Sequence, residues 1–563
     1  MVTPAVLLGL LLAGCSEEKV VSERPLPEVP AATTPVPAAT AEDPNIVLVL
    51  MDDFSTDLLP SLASAARMAR EGASYPHSYV VDSLCCVSRS SLFTGQYPHQ
   101  TGVRTNTSGV SDGDGPIGGY PAFRDHGNRE RSFNVRLQQA GYTTGFVGKY
   151  LNEYEYVAGA VDMPPVPPGW SEFNVLFGSA YMGWDFDSTH TEDGQVKVRH
   201  HPAPDADASD EEKDAAYAGQ VTEDYALDFI RRHRDSDTPY FLEVAPYAPH
   251  SRTNKEGAWP GEPLFPAAFR DRPRDGRPGN CGPVACSEFT KQALPGYRDD
   301  AGDNTPVLAD GTPAPAWNHV PPALPDRAYI ASLRQRAQMV QSVDRTVQKI
   351  LDEVGDDTYV VFTSDNGFHL AQNGLSRGKG TAYDTDARVP LLVVGPGITP
   401  GERREMTTNI DLAPTFEQLA GLKPEPFRSG RSLVPSLLDA DSSERDHVFV
   451  EHTSEPGQAG DPDRAFNGHE LDRIPGYLAV RSRTGLLIRS DLGPLAGHEP
   501  DEPLPGYEFY SYDQVPWERR NQFTDPRYAP EVKALMAKLE AFDRCAGARG
   551  DDPVTPRCRR ALR

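Results

Sequence analysis

Positive charge is scarce in this 563-residue chain: 55 Lys and Arg stand against 81 Asp and Glu, a formal net charge of −26 at pH 7. That balance argues against nucleic acid as a partner. An anionic substrate would have to be held by local cations or a metal, not by the overall field. Long apolar runs are missing as well. The apolar stretch within Met1–Cys15 is too short to span a bilayer and has the form of a signal-peptide core, without the Lys or Arg that usually precedes one. Its end, Leu12-Ala13-Gly14-Cys15, looks like a bacterial lipobox, so residues 1–15 are expected to be a lipoprotein signal peptide with Cys15 lipidated after cleavage. Residues 16–43, rich in Pro, Ala, Thr and Glu, then form a solvated tether to the cell envelope. Cysteine is sparse, at seven. Beyond Cys15 and the adjacent Cys85 and Cys86, it falls into two local pairs, Cys281/Cys286 and Cys545/Cys558, which an oxidising compartment would close into disulfides. No His or Cys stands near those pairs at metal-ligand spacing. No internal repeat is evident.

What is present is a set of buried-strand signatures. Asn45-Ile-Val-Leu-Val-Leu-Met51, Tyr240-Phe-Leu-Glu-Val-Ala245, Thr358-Tyr-Val-Val-Phe-Thr363 and Val389-Pro-Leu-Leu-Val-Val394 are apolar runs of the kind found in parallel sheets buried on both faces. Asp52-Asp53, Pro246 to His250 and Ser364-Asp365-Asn366-Gly367 follow directly on three of them, at the sheet edge where α/β folds place ligands. Helices are expected over Asp57–Glu71 and Arg327–Val354. Beyond Leu438 the pattern turns to short alternating segments, Tyr477–Arg481 and Gly485–Arg489, and a charged helix over Pro530–Arg544. The chain is longer than a single core usually grows. A catalytic domain over 44–440 and a smaller C-terminal unit over 441–563 are expected, with a Pro- and Gly-rich surface excursion at about 251–320.

The stretch Ser83-Leu-Cys-Cys-Val-Ser-Arg-Ser-Ser-Leu-Phe-Thr-Gly95 carries the chemistry. On its own it reads as a Ser-rich helix start with two cysteines packed as small hydrophobes. It also resembles the nucleophile segment of type I sulfatases, Cys-x-Pro-x-Arg followed by a hydrophobic pair and Thr-Gly. Cys85, Ser88, Arg89, Leu92, Phe93, Thr94 and Gly95 fall on that pattern, and Val87 stands where the family has Pro. The resemblance runs from about 44 to 522 and takes in Gly148-Lys149-Tyr150, Ala248-Pro249-His250-Ser251, Arg377-Gly-Lys379, Asn409-Ile-Asp-Leu-Ala-Pro-Thr415 and Gly430-Arg-Ser-Leu433. The doubled Cys85-Cys86, Tyr97-Pro98-His99, Gly148–Tyr154 and Pro168-Gly169-Trp170 point to the branch of N-acetylglucosamine-6-sulfatases. Leu151 stands where many other sulfatases have a His.

The resemblance implies an alkaline-phosphatase-like α/β fold: a large mixed, mostly parallel sheet sandwiched by helices, with a C-terminal antiparallel sheet and helix. It implies formylglycine made from Cys85 by a formylglycine-generating enzyme. It also implies one divalent cation, Ca²⁺ with Mg²⁺ as the alternative, held by Asp52, Asp53, Asp365, Asn366 and residue 85. Oxygen donors of this kind suit hard cations. Arg89, Lys149 and Lys379 would neutralise the sulfuryl oxygens while His250 protonates the leaving alcohol. The implied substrate is a sulfate monoester, 6-O-sulfated N-acetylglucosamine in glycans being the foremost case. A phosphonate monoester or phosphodiester hydrolase is the first alternative. A sulfatase-fold binding lipoprotein, unmatured because of Val87, is the second.

Overall fold

The computed structural model describes residues 22–32, 36–40, 42–274, 276–319, 322–442, 445–454, 461–463, 473–499, 502–545 and 549–563. The signal peptide, its lipobox and Cys15 lie outside the described residues, as does the start of the expected tether. The described part of that tether is corrected: Glu23–Pro25 pair antiparallel with Gln195–Lys197, and Leu26, Val36 and Ala39 pack against the core instead of standing in solvent.

An eight-stranded sheet forms the centre. In chain order its strands are β1 (Asn45–Met51), β2 (Ala73–Ser74), β3 (Thr143–Gly148), β4 (Glu172–Val175), β5 (Tyr240–Ala245), β6 (Thr358–Ser364), β7 (Leu391–Val394) and β8 (Gly401–Glu402). They lie in the spatial order β8-β2-β7-β6-β1-β5-β3-β4. From β6 to β4 every pairing is parallel. All seven residues of β1 are buried, as the unbroken apolar run requires of a central strand.

The expected fourth parallel strand is corrected. Residues Leu391–Val394 pair antiparallel with β6, and the strand begins only after Pro390. Proline has no N–H for the ladder, so the strand starts past it. The helix expected over Asp57–Glu71 is likewise split: Thr56–Ser61 is a 3-10 turn containing Pro60, and α1 runs over Ala63–Glu71.

The helices that matter for the site are α2 (Cys85–Thr94), α3 (Ala218–His233) and α4 (Asp326–Glu353). All ten residues of α2 are buried. Its Cys86, Leu92 and Phe93 enter the main core, whereas Val87 packs with Tyr383, Val448 and Ile488 in a second cluster shared with the C-terminal unit. That unit is an antiparallel sheet of β9 (His447–His452), β10 (Tyr477–Ser482), β11 (Gly485–Asp491) and β12 (Pro505–Ser511), covered by α5 (Ala529–Asp543). The 251–320 excursion contains short 3-10 turns, and it is less superficial than expected: Phe265, Cys281, Cys286, Phe289 and Leu294 are buried in a separate core cluster with Val47 and Val49 of β1 and Val340 of α4. Cys281–Cys286 and Cys545–Cys558 are both disulfide-bonded.

Candidate active site

Four neighbouring parallel strands, β6-β1-β5-β3, end on one edge of the sheet, and each delivers a polar group just beyond its last residue. Asp52 and Asp53 follow β1, Asp365 and Asn366 follow β6, Lys149 follows β3, and His250 stands five residues past β5. The backbone there is specialised. Asp53 has a left-handed φ of 62°, a conformation that Asp tolerates better than most residues. Gly148 has φ of 111°, and a Cβ on it would fall 2.0 Å from the Ala245 carbonyl oxygen, so only glycine lets the chain turn Lys149 into the site. Helix α2 presents Cys85 as its first residue and Arg89 one turn on.

These groups form one buried cluster. Cys85 Sγ lies 3.3 Å from Asp52 Oδ1 and receives a hydrogen bond of 2.7 Å from Lys379 Nζ. Lys149 Nζ donates to both oxygens of Asp52 at 2.9 and 2.8 Å, and Lys379 Nζ to Asp53 Oδ1 at 2.6 Å. Arg89 Nε donates to Asp365 Oδ2 at 2.8 Å and its Nη1 to the Lys149 carbonyl at 2.7 Å. Asn366 Nδ2 donates to Asp53 Oδ1 at 2.7 Å, and the Asp53 N–H to Asp365 Oδ1 at 3.1 Å. Every residue expected at the site from the sequence is in this cluster.

The family model described as Sulfatase matches residues 44–422. The chain belongs to the sulfatase family of sulfuric ester hydrolases. It is 32% identical over 443 residues to human N-acetylglucosamine-6-sulfatase, a match covering 76% of this chain and 70% of that protein. It is 31% identical over 426 residues to the extracellular sulfatase SULF-1 homolog of Drosophila melanogaster, covering 73% of this chain but only 33% of the fly protein. Among solved structures, one in complex with D-glucosamine-2-N,6-O-disulfate superposes with a TM-score of 0.61 at 20% identity, covering 91% of this chain and 99% of the other. A phosphonate monoester hydrolase from Silicibacter pomeroyi superposes with a TM-score of 0.57 at 20% identity, covering 89% and 95%. At such identity these two establish the fold alone.

In this sulfatase the carboxylates of Asp52, Asp53, Asp365 and Asp463 meet the cations of Arg89, Lys149 and Lys379, all buried. Burial pushes the Cys85 thiol well up despite both lysines, so the unmodified residue is a protonated, weakly nucleophilic thiol. Burial also pushes Asp53 and Asp365 up, but Lys379 with His250 at Asp53, and Arg89 with Lys149 and Lys379 at Asp365, together outweigh it and hold both carboxyls below their ordinary value. His250 is desolvated, which lowers it, yet Asp53, Asp52 and Asp463 together hold it above the ordinary imidazole value. Its Nδ1 faces the Ser251 carbonyl at 2.6 Å and its Nε2 faces Asp463 Oδ1 at 3.0 Å. Two acceptors suit an imidazolium with both nitrogens protonated.

The donor set fits a hard divalent cation. Carboxylate oxygens of Asp52 and Asp53 lie within 4.8 Å of each other and of Cys85, whose hydrated aldehyde would add a further oxygen. Asp53 Oδ2 and Asn366 Oδ1 are buried without a hydrogen-bond partner. Buried orphan oxygens are costly, and a cation would satisfy both.

The sequence did not single out Asp463, whose Oδ2 accepts from Asn106 Nδ2 at 2.7 Å while Oδ1 meets His250 and, at 3.0 Å, Lys379 Nζ. An Asp in the Pro- and Gly-rich stretch around Asp461-Pro462-Asp463 carries no local signal of a site. Arg336 of α4 was also missed. It donates to the Asp53 carbonyl and stacks over Phe368 at 4.4 Å. Its position within α4 gives it away only as an unexpected buried charge.

Proposed function

We propose that this sulfatase hydrolyses sulfate monoesters of 6-O-sulfated amino sugars, using formylglycine derived from Cys85 and one divalent cation. The observation that carries this reading is the convergence of Lys149 and Lys379 on Asp52, Asp53 and Cys85, and of Arg89 on Asp365, beyond the ends of adjacent strands. The names of the human relative and of the sugar disulfate in the similar structure support the amino-sugar class.

Asp52, Asp53, Asp365, Asn366 and residue 85 would hold the cation, with Ca²⁺ preferred for an all-oxygen set and Mg²⁺ the alternative. Bound there, it supplies positive charge toward the sulfuryl oxygens. Oxidised to an aldehyde and hydrated, residue 85 supplies a nucleophilic hydroxyl and a second hydroxyl whose collapse releases sulfate. The chain's own residues do the rest. Arg89 fixes Asp365 and lends its charge; Lys149 and Lys379 release their carboxylate partners to bind the sulfuryl oxygens. His250, held through Nε2 by Asp463, would give its Nε2 proton to the departing alcohol. Asp463 steers that nitrogen.

Export with a lipid on Cys15 completes the proposal, resting on the lipobox and the two disulfides. Val87 supports a second reading, in which Cys85 stays unconverted and the protein only binds sulfated glycans. One experiment separates them: peptide mass spectrometry over Cys85 together with sulfate release from N-acetylglucosamine-6-sulfate. Aldehyde with sulfate release supports the enzyme. Aldehyde without release on sulfate, but with release from a phosphonate monoester, overturns it. For the cation, Asp365→Ala should lose both bound metal and activity, and full metal occupancy in that variant would refute the site.

A further inference from the structure

Tyr181 lies in the 3-10 turn Gly178–Met182, far in sequence from every motif of the site. Its ring centroid is 4.4 Å from that of His250 and 4.5 Å from that of Tyr247, the latter contact edge-on at 74°. Lys149 Nζ stands 5.2 Å from the same ring centroid. One aromatic side chain thus touches two site groups that arrive on different strands, Lys149 past β3 and His250 past β5. Tyr181 is 6% exposed. Its support is rigid: Tyr247 OH donates to the Leu176 carbonyl at 2.8 Å, and the turn is tied down where the Gly178 N–H donates to Glu155 Oε2 at 2.9 Å.

We propose that Tyr181 is a positioning residue for sulfuryl transfer, whose ring sets the plane of the His250 imidazole and the place of the Lys149 ammonium. The negative face of the ring attracts the Lys149 ammonium while the ring packs against the imidazole, so it holds both groups without offering a carboxylate that substrate would have to displace. This distinguishes Tyr181 from Asp52 and Asp463, which grip the same two groups through ion pairs. Burial pushes the phenol well up, with Asp52 and Cys85 adding to the rise, so the hydroxyl stays neutral and the ring carries the role.

This inference rests on the sulfatase reading and deepens it. The test compares wild type with Tyr181→Phe, Tyr181→Leu and Tyr181→Met, all checked for equal aldehyde content, metal content and thermal midpoint. The substrates are aryl sulfates whose phenols span a wide range of acidity. Tyr181→Phe keeps the ring and should stay within about threefold of wild type in kcat. The two ringless variants should lose about 10- to 100-fold in kcat, with the loss growing as the leaving phenol becomes a weaker acid, because only poor leaving groups need the proton from His250. A loss equal across the series, no loss, or Tyr181→Phe as impaired as Tyr181→Leu would each overturn the role of Tyr181. A wild-type enzyme with full aldehyde that releases no sulfate would instead sink the sulfatase reading itself.

Discussion

Glu243 sits in the middle of β5, in register with Leu48 and Phe146, fully buried and with neither carboxyl oxygen hydrogen-bonded. Burial pushes its pKa up to about 8, with Arg89 pulling partly the other way. The folded value lies above the unfolded value of about 4.5, so the folded state keeps a proton that the unfolded chain gives up. Its contribution to stability is therefore full below that unfolded value and is lost as pH rises through the folded one. Glu243→Gln removes the titration. The variant should gain on wild type by about 1.4 kcal/mol per pH unit across that window. Urea unfolding at pH 5, 6.5 and 8 measures it, and a constant difference would show that Glu243 is paired in solution. Val87 is the other residue whose environment makes a prediction. It occupies the first turn of α2, where the backbone N–H has no helical acceptor, so Pro fits there. Val87→Pro should raise the aldehyde fraction at Cys85, with sulfate release rising in proportion and stability shifting by less than about 1 kcal/mol. Mass spectrometry and a turnover assay on the same preparation decide the matter.

Among the elements, α2 is the one on which the site turns. It is pinned from outside by Asn409, whose Nδ2 donates to the Ser88 carbonyl and hydroxyl at 3.0 Å each and whose Oδ1 accepts from the Val81 N–H at 3.1 Å. Asn409→Ala leaves these buried groups unsatisfied. It should cost about 2–4 kcal/mol in unfolding free energy and lower kcat as Cys85 and Arg89 lose their register. Chemical denaturation beside steady-state kinetics tests both, and an unchanged midpoint would refute the anchoring. How far such elements could be read from sequence followed from their physics. Strands β1, β5 and β6 announced themselves because central parallel strands need unbroken apolar runs, and their polar termini marked the site. Strand β7 carries the same kind of run but enters antiparallel, because residue patterning does not encode direction. Pro60 cut a helix that periodicity alone would continue. Asp463 and Tyr181 escaped notice because each reaches the site through a contact distant in sequence, with nothing in its neighbours to mark it.

At the scale of the whole molecule, a charge of −26 surrounds a site built to hold an anion. A polysulfated glycan is repelled at long range, whereas a small monosulfate feels the field weakly. Raising ionic strength from about 0.01 to 0.15 M shortens the screening length from about 30 to 8 Å. KM for a polysulfated oligosaccharide should fall by several-fold over that range, while KM for N-acetylglucosamine-6-sulfate changes little. Equal salt dependence for the two substrates would refute the repulsion. The two units of the fold are joined by buried contacts that bear on Lys379. Arg481 of β10 pairs with Asp384 and Glu508 of β12 accepts from Tyr383, both partners lying on the segment that follows Lys379, and Glu508 also accepts from Trp317. The C-terminal sheet is thus part of the wall behind the buried Lys379.

The complete burial of α2 also imposes an order of events during biosynthesis. Cys85 is 0% exposed, and so are Cys86, Val87 and Ser88 around it. No second enzyme can grip that peptide once the chain has folded. The oxidation we propose must act on a nascent or unfolded chain, before Cys281–Cys286 and Cys545–Cys558 lock the outer segments. Conversion and folding are then in a race, and slow handling of the Val87 sequence would yield a mixed population of well-folded molecules, some permanently without an aldehyde. Native protein incubated with a formylglycine-generating enzyme should remain unconverted, whereas the same protein denatured and reduced should gain aldehyde at Cys85.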